Sequence, residues 1–260
     1  MDGTQSRALI AQRAPARRIA LLRSREFGEL AVCYFLVLLA LWSSRPAQWI
    51  VAGVGFCWIM LVTLRSRPAA EELGLRITGM RRALWVVALA AIAAGLGIWI
   101  SIRLHTFHAV FRHYAVEWGF LAYLVWALVQ QFILQDFFLA RLLRIVPTRA
   151  LAVVAAGLLF ALAHVPNPLL VIATAVWGGV ACALFLRYRN LYVLGLAHAI
   201  LGMCLAVAVP NTVHHHMHVG LGYLRWHVEQ PPAQQRQTGP MMFAGAAYSH
   251  QRRQTSQSGR

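Results

Sequence analysis

The side chains best suited to chemistry are glutamines that interrupt an apolar stretch, WALVQQFILQDFFLARLLR, at residues 126–144. Gln131 and Gln135 are four residues apart, which places them on one face of a helix, and Gln130 lies about 100° around from Gln131. A side-chain amide in a bilayer needs hydrogen-bond partners from the protein, so such residues usually face the interior of a helix bundle. The glutamines therefore predict a polar site inside a membrane domain.

Two later histidines are candidates for the same site. Phe160 and His164 share a helix face in LLFALAHVPNP, where the helix should end before Pro166, and His198 lies in the apolar run LYVLGLAHAILG. Asn167 adds a polar side chain after His164. One buried imidazole bonded to a carbonyl is an ordinary structural feature. Two imidazoles joined by a glutamine pair in one small bundle are harder to explain as ordinary buried histidines, so these residues predict a shared polar site.

Membrane-spanning helices must position these residues. The chain of 260 residues is 59% hydrophobic and 12% charged, and its mean hydropathy is +0.58, which is typical of a multi-span membrane protein. We therefore predict an all-α, polytopic membrane helix bundle of about seven transmembrane helices. Their ranges are 27–42, 49–64, 84–102, 118–139, 150–164, 169–186 and 191–209. His164 needs a short or tilted fifth helix to reach the depth of Gln130 and His198.

Charge divides the chain into three parts. Residues 1–26 form a basic amphipathic segment, residues 27–209 the membrane domain, and residues 210–260 a polar His/Arg/Gln-rich tail that we expect to be disordered after about residue 230. The tail includes a histidine cluster that we expect to face solvent beside the membrane. The cluster is His214, His215, His216 and His218.

The basic residues predict the location of the chain. All 24 are arginines, against eight acidic residues, and they concentrate in alternate loops. This distribution predicts an integral membrane protein, in a bacterial inner membrane, with a cytoplasmic N-terminus. The membrane lipid bilayer is the expected partner. No RNA- or DNA-binding motif accompanies the arginines, so we predict no nucleic-acid partner.

Metal and cofactor motifs are lacking in the sequence. The four cysteines lie in apolar runs without CxxC spacing. His164 and His198 would supply two metal ligands, but a catalytic zinc usually needs a third, and HExxH does not occur. We predict no metal site and no cofactor.

The order of a polar pair, then FxxxH, then a histidine in a following helix resembles the CPBP family of intramembrane glutamyl endopeptidases, which includes the type II CAAX prenyl proteases. That family carries EExxxR, FxxxH and HxxxN or HxxxD motifs on successive membrane helices. The resemblance covers about residues 71–209, a CPBP-like core, and Phe160 with His164 reproduce the second motif. It implies peptide-bond hydrolysis in which the first glutamate, helped by histidine, activates water.

The first and third motifs differ from the family pattern. Gln130 and Gln131 stand at the two glutamates, Gln135 at the arginine, and Gly202 stands four residues after His198. An amide cannot accept the proton of water, and losing a general base typically costs about 10² to 10⁴ in rate. We therefore predict a degenerate member, a pseudoenzyme that binds a membrane peptide, lipid or partner protein. The resemblance assigns catalytic positions to Gln130, Gln131, His164 and His198. We place Gln135, Phe160 and Asn167 at substrate-binding positions of the same polar cavity.

Two other functions stay open. The first is an active intramembrane endopeptidase that uses a histidine base to cleave a membrane-embedded or prenylated peptide. The second is a small transporter, although the sequence contains no inverted repeat. A literal EExxxR match at Glu71, Glu72 and Arg76 lies in an arginine-rich loop, where we expect solvated side chains.

Asp136 is the acid that lies deepest within an apolar stretch. It follows Gln131 by five residues, which is about 140° around an α-helix, so we expect it to point away from the glutamine face. Arg141 and Arg144 are its expected partners.

Overall fold

The computed structural model of the protein describes the backbone of residues 3–66, 68–77, 79–108 and 116–229, and the side chains of residues 22–66, 68–77, 79–108 and 119–225. All regular structure in these ranges is helical, which confirms the predicted all-α class. The helices are α1 (Gly3–Leu41), α2 (Ala47–Ser66), α3 (Met80–Arg103), α4 (Val116–Phe132), a π-helix (Ile133–Leu139), α5 (Ala140–Ile145), α6 (Arg149–Leu162), α7 (Pro168–Tyr188), α8 (Leu191–Ala208), α9 (Asn211–His214), a 3₁₀ turn (His215–Met217) and α10 (Gly220–Glu229). Residues 230–260, where we expect disorder, lie outside the described ranges.

The helix lengths support a membrane bundle. Five helical segments are long and apolar enough to cross a membrane: α2, α3, the continuous segment Gly119–Ile145, α7 and α8. Helix α6 has 14 residues, so it is apolar but shorter than these five. Helix α1 runs without a break from the basic segment into the first apolar stretch. A membrane bundle is therefore present, and the count of seven spans stays a prediction.

Side-chain caps set the ends of the helices that carry the later motifs. The Thr148 side chain accepts a hydrogen bond at the start of α6, Asn167 does so for α7, and Asn190 does so for α8. Each cap satisfies a backbone N–H that has no partner within its helix. The caps fix the residue at which α6, α7 and α8 each begin. They therefore help to set the height of the polar side chains of these helices relative to one another.

Backbone contacts define the two ends of the bundle. At one end the Leu191 N–H donates to the Gly74 carbonyl at 2.9 Å, and the Asn190 amide donates to the Arg76 carbonyl at 3.1 Å. We call this the arginine-rich end, because Arg76, Arg144 and Arg189 lie there. At the other end, the histidine-rich end, the His108 N–H donates to Val207 and the Gly220 N–H donates to Val165.

The glutamine helix changes its winding before it ends. Between Ile133 and Leu139 it is a π-helix, and the Ala140 N–H donates to the Gln135 carbonyl, five residues earlier. Each residue of a π-turn advances by less than the 100° or so of an α-helix. Asp136 lies within this π-helix, so its separation from Gln131 is smaller than the 140° expected from α-helical winding.

Glycines let α6 and α7 pack closely beside the site. A Cβ on Gly157 would lie 2.9 Å from the Gly179 backbone nitrogen, and a Cβ on Gly178 would lie 3.1 Å from the Phe160 ring. Small residues at such contacts allow helices to approach within backbone distance in membranes. This contact places Phe160 against α7.

We expect Gly157→Ala to destabilise the protein by about 1–3 kcal/mol, because the added methyl group meets backbone atoms that cannot move independently of the helix. The matched control is Gly179→Ala, whose Cβ would meet nothing within 4 Å. Thermal unfolding in detergent measures both variants. Equal midpoints for the two variants would contradict this account of the α6–α7 contact.

Candidate intramembrane polar site

A chain of hydrogen bonds joins the glutamine helix to α8. The Gln135 amide donates to Gln131 Oε1 at 3.1 Å, and Gln131 Nε2 lies 3.1 Å from His198 Nδ1. Gln131 is 0% exposed, Gln135 1% and His198 7%. The sequence analysis placed all three residues at site positions, and the structure brings them into direct contact.

The direction of this chain places the proton of His198. An amide nitrogen only donates, so Nδ1 accepts from Gln131 and the neutral ring carries its proton on Nε2. The Nδ1 lone pair is therefore engaged, and Nε2–H is the remaining polar group of the ring. His198 in this tautomer is a hydrogen-bond donor toward a ligand.

His164 carries its proton on the other nitrogen. Its Nδ1 lies 2.7 Å from the Phe160 carbonyl. Since a carbonyl only accepts, Nδ1 is protonated and Nε2 has a lone pair. His164 lies just beyond the C-terminal end of α6. This helix has 14 residues, and a short helix is what His164 needs to reach the depth of Gln130 and His198 in the membrane.

Aromatic rings link the two histidines. The Phe160 ring lies 4.9 Å from the His164 ring and 5.9 Å from the His198 ring, with both pairs edge to face. Trp177 lies 6.0 Å from His198 on another side. The FxxxH motif therefore packs its phenylalanine between the imidazoles, and the rings limit which way His198 can turn.

Two predicted site residues, Asn167 and Gln130, lie outside the hydrogen-bonded chain. The Asn167 amide donates to the carbonyls of His214 and His218, at 2.8 and 3.2 Å, and its oxygen caps α7. Gln130 is half-buried, and its side chain makes no hydrogen bond within the described ranges. The structure thus places Asn167 at the histidine-rich end and leaves the amide of Gln130 without a role in the hydrogen-bonded chain.

Tyr123 is a residue that the motif analysis missed. A Cβ on Gly202 would overlap the Tyr123 hydroxyl, which therefore lies against α8 one turn after His198. The family that this chain resembles has an Asn or Asp at the position of Gly202. Because Gly202 has no side chain, the Tyr123 hydroxyl occupies the space that an Asn or Asp side chain would fill. The sequence signal was the glycine itself, because a missing side chain next to a buried histidine leaves room for a neighbour.

The other acids occupy different surroundings. Glu71 and Arg76 form an ion pair with both side chains exposed, as expected for a solvated loop. Arg141 pairs with Glu29 and Glu26 on α1, and Arg144 pairs with Glu26. The expected pairing of Asp136 with these arginines was therefore wrong, because α1 supplies their carboxylates.

The histidine cluster is packed against the bundle. His214 is 1% exposed and His216 is 7% exposed, whereas we expected solvent-facing side chains. The His108 and His214 rings stack at 5.9 Å. Burial, together with the neighbouring imidazoles of His214 and His218, lowers the pKa of His216 to about 4. Asn167 holds two carbonyls of this segment, so the cluster closes the histidine-rich end.

We expect the stability of this segment to fall as the pH decreases from about 6.5 to about 4. The pKa of His216 is about 4 in the folded chain against an ordinary value of 6.5, so between these pH values the unfolded segment binds protons that the packed segment does not. Amide hydrogen exchange at residues 209–219 measures the loss. A flat profile over this range, or the same profile in His216→Gln, would contradict the assignment.

The His, Cys, Asp and Glu side chains do not converge in threes at a distance suited to a metal anywhere in the described ranges. The polar site therefore consists of amides, imidazoles and aromatic rings. It can donate and accept hydrogen bonds.

Comparison with known families supports the resemblance. Residues 111–204 match the family model of the type II CAAX prenyl endopeptidases described as Rce1-like. The match includes the glutamine helix, FxxxH and His198, and it confirms the predicted resemblance over this segment. No curated protein and no solved structure matches the chain.

Proposed function

We propose that this membrane protein, similar over residues 111–204 to the Rce1-like endopeptidases, is a degenerate relative that binds a membrane-embedded peptide without cutting it. The observation that carries the proposal is the buried chain from Gln135 through Gln131 to His198. Amides stand at both glutamate positions of the family motif, Gln130 at the water-activating one and Gln131 at the next. The Gln131 amide also engages the nitrogen lone pair with which His198 could otherwise accept a proton.

The two imidazoles match the polar groups of a peptide. His198 offers a donor at Nε2 and His164 offers a lone pair at Nε2, as their Nδ1 contacts imply. A peptide bond presents one acceptor, its C=O, and one donor, its N–H. In a bilayer these groups need partners when the peptide is not helical, so the site would stabilise an unwound peptide segment.

The arginine distribution gives the proposed orientation. With the arginine-rich end in the cytoplasm, the N-terminus is also cytoplasmic, and the inner membrane of a bacterium is the proposed location. The histidine-rich end would then face the opposite side.

The test uses a photo-crosslinkable transmembrane peptide, prenylated or unprenylated, with the purified full-length chain in nanodiscs. We expect the wild type to capture the peptide intact and His198→Leu to reduce capture about tenfold, the value of one good hydrogen bond in a buried site. Thr174→Val is the matched control, because that hydroxyl bonds the carbonyl of its own helix. A cleavage product from the wild type would overturn the proposal.

The alternative is an active endopeptidase, which the free lone pair on His164 Nε2 favours. In that case His164 would accept a proton from water while His198 donated to the carbonyl oxygen. Wild-type cleavage that disappears in His164→Ala and persists in Thr174→Val would establish this function. Peptide capture without any product would exclude it.

A further inference from the structure

A cavity of about 300 Å³ opens at the arginine-rich end beside the polar site. Its lining comes from α2, the loop after α2, the π-helix, α5 and the end of α7. The residues used below are Thr63, Glu72, Gln135, Asp136, Arg144 and Arg189. Gln135 is shared with the hydrogen-bonded chain, and the other residues are separate from it.

Three buried oxygens in this lining have no hydrogen-bond partner within the protein. They are Thr63 Oγ1, Gln135 Oε1 and Asp136 Oδ2. Their residues are 5%, 1% and 6% exposed. Buried polar atoms are nearly always hydrogen-bonded, and each such atom without a partner costs about 1–3 kcal/mol. The Gln135 oxygen only accepts, and the Thr63 hydroxyl and the Asp136 carboxyl oxygen can accept, so a group that carries several N–H donors can satisfy all three.

The mouth of the cavity is lined by arginines and therefore favours an anionic group. Arg144 and Arg189 are both exposed there. One Arg189 nitrogen donates to the Glu72 carbonyl, which holds the guanidinium at the rim. Guanidinium groups at the end of a membrane bundle bind phosphate and carboxylate through paired hydrogen bonds. The cavity therefore combines deep acceptors with a cationic rim.

We propose that this cavity binds a primary ammonium joined by a short linker to a phosphate, the chemistry of an aminophospholipid headgroup. The ammonium donates to Thr63, Gln135 and Asp136, and the phosphate contacts Arg144 and Arg189. A trimethylated amine has no N–H and cannot satisfy the three oxygens. The site consequently discriminates between ethanolamine and choline headgroups that carry the same phosphate.

The probe is the full-length protein, analysed by native mass spectrometry with phosphatidylethanolamine or phosphatidylcholine of identical acyl chains. We expect phosphatidylethanolamine to bind about tenfold more tightly, the value of a charge-assisted hydrogen bond. Thr63→Val and Asp136→Asn should each reduce this preference, and Thr174→Val, whose hydroxyl bonds its own helix, should preserve it. Unchanged circular dichroism and thermal midpoints would establish that each variant is folded.

Soluble phosphoethanolamine distinguishes the source of the headgroup. Competition with the lipid would mean that the headgroup alone suffices, and lipid binding without competition would mean that acyl chains contribute. Equal binding of the two lipids, or a preference that Thr63→Val and Asp136→Asn both leave unchanged, would overturn the proposal and indicate that water satisfies the oxygens. Peptide capture by Thr63→Val is expected to match the wild type, so this result is independent of the peptide-binding test.

Discussion

The double variant Gln130→Glu, Gln131→Glu is expected to cleave a membrane-embedded peptide at least about 100-fold faster than the wild type, the lower bound for restoring a general base. The reason lies in the contact between Gln131 Nε2 and His198 Nδ1, which are 3.1 Å apart. A carboxylate at this position accepts where the amide donates. The proton of His198 would move to Nδ1 and leave Nε2 with a lone pair, while the new carboxylate could accept the proton of water.

Product formation from a prenylated and an unprenylated peptide, followed by mass spectrometry, measures this gain. Gln135→Glu is the control, because it adds one of the two negative charges of the double variant one helical turn away from Gln131, at the position that the family resemblance assigns to an arginine. A gain in the control equal to that of the double variant would attribute the effect to charge alone. No product from either variant would show that the scaffold lacks more than the two carboxylates.

Replacing Arg141 by methionine is expected to destabilise the protein by about 3–5 kcal/mol, the usual cost of removing one partner from a buried ion pair. Arg141 is 4% exposed. It donates to Glu29 at 3.2 Å and to the Phe137 carbonyl at 3.2 Å, and its guanidinium lies 3.6 Å above the Phe137 ring. Its loss leaves the poorly solvated carboxylates of α1 without their buried cation and releases α1 from the π-helix.

Arg144→Met is the matched control for that variant. Arg144 contacts Glu26 at 2.7 Å, but 56% of its side chain is exposed. An exposed pair of this kind typically contributes about 0–1 kcal/mol. Unfolding by heat or denaturant in the same detergent compares the two. Similar losses of stability would mean that burial of Arg141 does not determine the strength of the network.

Both predictions depend on the π-helix. It begins two residues after Gln131, and it carries Gln135, Asp136 and Phe137. Insertion of π-turns at functional sites is common, because the wider turn redirects side chains without ending the helix. Here the turn connects the hydrogen-bonded chain on one side to the cavity on the other.

The histidine-rich end adds a second constraint on the site. Asn167 lies three residues after His164 and binds the carbonyls of His214 and His218. The turn that carries His164 is thus attached to a segment whose packing requires neutral imidazoles. Acidification should loosen this segment first.

The sequence by itself determined the membrane class, the segments that form helices and the identity of the polar residues. Hydropathy is additive along the chain, so apolar stretches of sufficient length are visible without knowledge of any contact. Periodicity was equally informative for Gln131 and Gln135, which are four residues apart and bond to each other. The FxxxH spacing placed Phe160 against His164 for the same reason.

Only the tertiary structure decided which partners these side chains take. The π-helix was not visible in the residue pattern, and it changes the winding between Gln131 and Asp136. The carboxylates that pair with Arg141 come from α1, more than a hundred positions away in the chain. Asn167 and the histidine cluster likewise meet across long separations. Such contacts arise from the assembly of helices in three dimensions, which no local pattern of residues encodes.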